Sequence, residues 1–420
     1  MLSDEVIEKV VERLVRRIEI GNEYVLKKIG ESIKKIGTLT PSKAQELVQI
    51  LKYGGDYDKI TKKLAEITKL NIKDIKKIFE EVAKNDYNFA KQFYKYRNKK
   101  YIPFDENVAL RRQVDALANL TTKEYMNFAR SEMLGLGIKD KNGNIEFKGL
   151  KKAYNELLDE AVLNVGQGKE TFDSAMYRQL KQIGTGLKVI YKDGRAVRLD
   201  SVVRMHLKNA LRELHNETQE MFGKEFDADG VEISVHLNPA PDHELVQGRQ
   251  FTINQYDSEG NLIKKGEFEK FQDSENAVSY DGINFPKISE ETGHDRRSIS
   301  QYNCYHYTFA IVLGVNKPQY SNKELQEIID KNNKGFELDG KHYTNYEGTQ
   351  LQRQLERAIR EQKDTQILAR TSDNEKLIYE SQKKITLLTS KYKELSKASG
   401  LPTSDRRLRV SGYKRVAIKK

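Results

Sequence analysis

Tryptophan is absent from this chain, and cysteine occurs once, as Cys304. A single cysteine excludes an intrachain disulfide and fits a reducing compartment. No apolar run is long enough to cross a bilayer. The N-terminus (Met1, Leu2, Ser3, Asp4, Glu5) leads into a charged helical pattern rather than a signal-peptide core. Synthesis in the cytosol without secretion is therefore expected. Internal repeats and low-complexity tracts are also missing. Gly184-Thr185-Gly186 is not followed by Gly-Lys-Ser/Thr, so it is no phosphate loop. It reads as a helix stop before a short strand over residues 187–191.

What is present is a polar globular composition. The 420 residues suffice for two or three domains, with 37% apolar and 32% charged residues. The net charge of +11 permits contact with nucleic acid or an acidic protein surface. Ile7, Val11, Leu14 and Ile18 recur at helical spacing behind a Ser3 cap. Thr40-Pro41 starts another helix, with Leu47, Ile50 and Leu51 as its stripe and Gly54-Gly55 as its stop. Ile60, Leu64 and Ile67 continue the pattern, as do Ile75, Ile78 and Val82. These narrow stripes predict a small bundle with a lysine-rich exterior. Tyr94, Tyr96, Arg97, Lys99, Lys100 and Tyr101 form a basic-aromatic cluster, read as a surface linker or, less favoured, a nucleic-acid contact.

Residues 105–135 and 150–190 are again helical in pattern, with Gly135-Leu136-Gly137 and Lys141-Asn142-Gly143-Asn144 as turns between them. Leu207, Leu211 and Leu214 mark one more helix. Beyond it the period changes. Val231, Ile233 and Val235 alternate with Glu232, Ser234 and His236, a strand with one apolar and one polar face. Phe251-Thr252-Ile253 and Leu262-Ile263 flank a turn at Gly260-Asn261 and predict a hairpin or meander. Residues 302–313 form a second strong apolar run, ended by Gly314. Helix returns over residues 346–397. There Arg353, Glu356, Arg357, Arg360, Glu361 and Lys363 predict a charge-laced surface. The fold class expected is α+β and predominantly α-helical: a helical N-terminal region, a central mixed α/β domain with a small sheet, and a helical C-terminal segment. The expected segments are 1–100, 101–200, 201–320, 321–400 and a basic tail over 401–420.

All seven histidines and Cys304 lie between residues 206 and 342. Four of these residues fall in two short segments, His236 to His243 and Asn303 to His306. If both segments are extended and adjacent, His236, His243, Cys304 and His306 converge as N/S donors. A buried polar network involving Asp242 is the preferred reading. A structural zinc is a second, and nucleophilic catalysis by Cys304 with a histidine base a third.

These segments resemble a known family pattern. His236, Pro239 to Pro241, Asp242-His243, Gln247-Gly248, then Asn303-Cys304-Tyr305-His306 and Gly314 appear in its order. Upstream, the stretch from Gly186 through Arg198-Leu199-Asp200-Ser201 is similar to it. Downstream, so are Tyr346 and Gln352-Arg353-x-x-Glu356-Arg357-x-x-Arg360. The family is that of minor capsid proteins from phages of Gram-positive hosts, related to Mu-F-like head morphogenesis proteins. Its usual aromatic before Gln-Gly is replaced by Val246.

The resemblance implies a non-enzymatic assembly protein of the phage head, assembled in the host cytoplasm, in several copies per virion and without a membrane. It implies the portal and major capsid proteins as partners and a part in DNA packaging or ejection. It supplies no catalytic residues and no cofactor. Asp242, Gln247, Gly248 and Asn303 would be motif core. Two alternatives stand beside it: a virion-carried metal- or cysteine-dependent enzyme, and an internal DNA-binding protein. Genomic DNA would be met by Arg406, Arg407, Arg409, Lys414 and Arg415 of the tail.

Overall fold

A computed structural model describes residues 4–53, 56–69, 72–130, 134–139, 145–167, 172–183, 186–191, 193–273, 276–285, 299–300 and 304–417. The fold is predominantly helical with small antiparallel sheets, as the periodicity predicts. The chain forms two compact units. One comprises residues 1–8, 72–121 and 205–349, and the other 9–71, 122–204 and 350–420. We call them the sheet-and-loop unit and the helical unit.

The helical unit is organised by the long helix Asp4–Gly37. Val11, Val15, Ile18, Val25, Leu26, Ile29, Ile33 and Ile36 bury one stripe of it. Lys34 and Lys35 complement the negative end of its dipole. The helix Pro41–Tyr53 begins at the predicted proline. Helices Asn345–Thr371 and Glu375–Ser399 divide the C-terminal helical stretch. Asp373 takes a positive φ between them, and the Asn374 side chain accepts from Leu377 N at 2.9 Å to start the second.

An expectation for this unit's sheet region fails. Gly135-Leu136-Gly137 is not a turn but part of the strand Leu134–Lys139. That strand pairs with Ile145–Gly149 on one side and Leu187–Ile190 on the other, and Ala196–Arg198 completes a four-stranded antiparallel sheet. A Cβ on Gly135 would lie 2.2 Å from the Lys148 carbonyl oxygen. Glycine is there for close backbone approach within the sheet, not for reversal.

The sheet-and-loop unit is built on a three-stranded antiparallel sheet. Gly230–Ile233 is its centre, flanked by Gln250–Thr252 and Thr308–Ile311. Val231, Ile233, Phe251, Phe271, Phe285 and Ile299 form the core on it. The expected polar face is not solvated. Glu232 is buried and accepts from Gln250 Nε2 at 2.7 Å and Asn316 Nδ2 at 3.0 Å. Burial raises its carboxyl above the usual range, against those hydrogen bonds. The predicted first hairpin strand around Phe251 joins the three-stranded sheet, and the hairpin forms instead from Gln255–Tyr256 paired with Leu262–Lys264.

The basic-aromatic cluster after residue 93 runs into the linker that follows helix Ile72–Tyr96, but several of its side chains are packed or paired. Tyr94 is buried and donates to Glu225. Tyr101 stacks on Tyr87 at 4.6 Å. Arg97 pairs with Asp229 at 3.0 Å and Lys99 with Asp227 at 2.7 Å. These charges fasten the end of helix Ile72–Tyr96 to the segment after helix Leu199–Glu225.

A second tie between the same elements was not legible in the sequence. His215 Nδ1 lies 2.7 Å from Asp86 Oδ2, and its Nε2 lies 2.8 Å from the Thr308 carbonyl oxygen. Both partners are acceptors, an arrangement that favours a proton on each ring nitrogen and so the charged form of the buried ring. Burial opposes the charge, but Asp86 and Thr308 outweigh it and raise the pKa. A raised histidine pKa stabilises fully below the unfolded value and loses that stabilisation as pH rises through the folded one. We expect nitrogen NMR to find both ring nitrogens of His215 protonated at neutral pH. His215→Gln, able to keep one donation, should lower unfolding free energy by about 1–3 kcal/mol.

Candidate functional site

The site sits at one end of the three-stranded sheet. The chain leaves the central strand after Ile233 and returns at Gly248, whose N–H donates to the Ile233 carbonyl at 2.9 Å. The intervening loop turns through Pro239 and Pro241, and His243 N donates to Ala240 O at 2.9 Å. Gly248 has φ +71°, and a Cβ there would meet Val235 and Leu325 at 2.7 and 2.6 Å. Only glycine satisfies both the left-handed backbone and the close packing.

The partner segment is residues 304–307. It precedes the strand Thr308–Ile311, which pairs with Gly230–Ile233 in the register Thr308 opposite Ile233. Ser234 extends that pairing by two bonds. Its N–H donates to Tyr307 O, and its Oγ accepts from Tyr307 N, both at 2.8 Å. The two segments singled out in the sequence are therefore neighbours, though the regular strands are shorter than predicted. His236 lies beyond its strand, in the loop.

Three of the four candidate donors converge. Cys304 Sγ is 3.7 Å from His243 Nδ1 and 3.6 Å from His306 Nδ1. The three donor atoms all lie within 4.8 Å of one another. All three side chains are buried, at 5%, 2% and 3% exposure for Cys304, His243 and His306. His236 does not join them. Its Nε2 bonds the Tyr305 carbonyl, and its ring stands edge-on to His306 at 4.7 Å.

Gln247 sets the orientation of His306. Its Oε1 accepts from the backbone N–H of His236 at 2.8 Å, which fixes the amide. The same oxygen faces His306 Nε2 at 3.2 Å, so that nitrogen is the donor. The Nδ1 of a neutral His306 then presents its lone pair to Cys304. On His243, Nε2 faces the Asp242 carboxylate at 3.7 Å while Nδ1 faces the sulfur. The backbone N–H of His306 also donates to Cys304 Sγ at 3.4 Å. Burial raises the Cys304 thiol, but the hydrogen bond and charge of His243 prevail, and its pKa falls below the ordinary value. Of the other motif residues, Gln247 and Gly248 build this site, Asp242 borders it, and Asn303 lies outside the described residues.

A family model matches nearly the whole chain. Phage minor capsid protein 2 covers residues 2–396. The chain belongs to that family. Membership makes it a structural protein of the phage head. No curated protein and no solved structure matches it. Among the described residues, no helix is long and apolar enough to cross a membrane.

The upstream and downstream stretches that resemble the family come together in the helical unit. Arg198 Nε lies 3.0 Å from Asp200 Oδ1, and its Nη1 donates to Asp364. Arg360 donates to the other Asp200 oxygen. Asn22 Nδ2 donates to Asp364 Oδ1 at 2.9 Å, and its Oδ1 accepts from Leu187 N at 2.8 Å. Lys188 meets Glu361 at 3.2 Å. The charges expected on a helix surface therefore split. Arg357 is exposed, but Arg360 and Glu361 serve this cluster, and Glu356 is buried against Tyr392.

The tail is likewise not a free basic arm. Arg409 pairs with Glu12 at 2.8 Å, and Arg407 approaches Glu356 at 3.7 Å. Val410 is buried, and Tyr413 donates to Gln382 at 3.1 Å. Arg406, Lys414 and Arg415 are exposed.

Proposed function

We propose that this chain is a portal-associated minor head protein that acts in head assembly and not as an enzyme. Its partners are the portal and major capsid proteins, with several copies per virion and a contribution to DNA packaging or ejection. The observation that carries the reading is the family match along nearly the whole chain. A second supports the non-enzymatic part. A nucleophilic cysteine must be reached by its substrate, and Cys304 and both neighbouring histidines are closed off at 5% exposure or less.

Charge favours DNA as a secondary partner less than the sequence suggests. Of the five tail residues, Arg407 and Arg409 are directed at carboxylates within the chain. Residual DNA contact through Arg406, Lys414 and Arg415 would weaken steeply with salt.

Co-expression with the portal and major capsid proteins of the same phage tests the proposal. The chain is expected to co-sediment with portal rings or procapsids at sub-stoichiometric copy number, with no turnover of added esters or peptides. A chain that stays free of both assemblies overturns it.

A further inference from the structure

We propose that His243, Cys304 and His306 bind one zinc ion through His243 Nδ1, Cys304 Sγ and His306 Nδ1. Two edges of the triad have the right length. Zn–S of about 2.3 Å and Zn–N of about 2.05 Å at a tetrahedral angle place sulfur and nitrogen about 3.6 Å apart. The observed sulfur–nitrogen distances are 3.6 and 3.7 Å.

Proton counting points the same way. Gln247 holds His306 with Nε2 as donor, and Asp242 faces Nε2 of His243. The Nδ1 atoms of both rings face one sulfur, and the Gln247 contact directs the lone pair of a neutral His306 at it. A thiol has one proton and can donate to one of them. A divalent cation takes both lone pairs and the thiolate together, releasing the thiol proton. The surrounding groups suit that state. Gln247 and Asp242 are outer partners of the kind that orient metal-bound imidazoles. The His306 N–H at 3.4 Å is a donor to the thiolate. One soft and two borderline donors favour zinc over magnesium or calcium. Among the described residues, three side chains offer ligand atoms.

The metal's role would be to lock the 304–307 segment to the 234–248 loop, beyond the last backbone pairing of the sheet. This inference does not depend on portal association, since it concerns the isolated chain.

The full chain, purified without chelator, is expected to carry about one zinc per chain by elemental analysis. Titrating the metal-stripped, folded chain with cobalt(II) chloride should give the sulfur-to-cobalt charge-transfer band and the intense visible bands of tetrahedral cobalt. Cys304→Ser should lose the charge-transfer band, and His306→Ala should lose the tetrahedral spectrum. Zinc should raise the melting temperature of the stripped wild-type chain by several degrees, a readout that needs no variant to fold. A folded wild-type chain that retains no zinc and gives only the spectrum of hydrated cobalt overturns the proposal. So does a Cys304→Ser chain with an undiminished charge-transfer band.

Discussion

Arg198→Ala is expected to lower the unfolding free energy of the helical unit by about 3–5 kcal/mol, the cost typical of breaking a buried ion pair from one side. Arg198 is 6% exposed, Asp200 5% and Asp364 0%. The guanidinium bridges the two carboxylates, so alanine strands negative charge in a place water does not reach. Among the described residues Asp200 keeps Arg360, whereas Asp364, whose carboxyl burial already pushes up against the pull of Arg198, keeps the neutral Asn22 amide. The loss should therefore come mainly through Asp364. Arg198→Met combined with Asp364→Leu removes charge of both signs and should recover most of it, since apolar replacement of a whole buried pair is often neutral. Urea denaturation followed by circular dichroism reads both variants. If Arg198→Ala matches a surface substitution, the network does not hold the unit together.

The same cluster has a pH signature. Burial pushes Asp200 up, but Arg198 and Arg360 outweigh it and hold its carboxyl at about 2, below the ordinary 3.8. A depressed carboxylate stabilises the fold above its unfolded pKa and gives that up only as pH falls toward the folded value. The contribution of Asp200 should thus be intact at pH 5 and lost between about 4 and 2.

Why this cluster escaped the sequence is instructive. Arg198, Asp200 and Asp364 are separated by up to 166 residues, and Asn22 lies a further 165 from Leu187. Periodicity reports which face of a helix is apolar. It does not report that Arg360 and Glu361, spaced like surface ion pairs, are aimed at a sheet. Helices were legible where a stripe and a start signal stand together, as at Pro41, whereas the break capped by Asn374 was read through as one helical stretch over 346–397. The pair of segments forming the His/Cys triad was also legible, because alternation marked the first strand, an apolar run marked the second, and unusual residue types stood at their ends. What alternation could not supply was the exact end of each strand. Ser234 caps the pairing with its side chain, which moves His236 into the loop and out of the triad. Gly135 misled for a related reason: glycine marks both reversal and close approach, and only the pairing with Lys148 distinguishes them.

Glu19→Gln should stabilise the helical unit at neutral pH, by an amount of the order of 3 kcal/mol at most. Glu19 is 6% exposed, and its Oε2 makes no hydrogen bond among the described residues. Its carboxyl is pushed up to about 7 from an ordinary 4.5, chiefly by burial and then by the Asp200 charge, with Arg409 opposing. Arg409 approaches only to 3.7 Å and spends its closer contact on Glu12 at 2.8 Å. A cavity of about 10 Å³ borders Glu19, Asn22 and Asp200, room for about one water at most. The ionised form is therefore poorly solvated. Between pH 4.5 and about 7 the unfolded carboxyl has lost its proton while the folded one retains it. Stability must fall as pH rises through that window and level off above it, the opposite of the Asp200 behaviour. Each pH unit of the window is worth about 1.4 kcal/mol, which sets the upper bound. Glutamine keeps the shape, cannot ionise, and should abolish the slope while leaving the pH 4 stability nearly unchanged. Denaturation of both proteins at pH 4, 6 and 8 decides it. Parallel curves for wild type and variant would mean that Glu19 is ionised in the fold and that Arg409 compensates it.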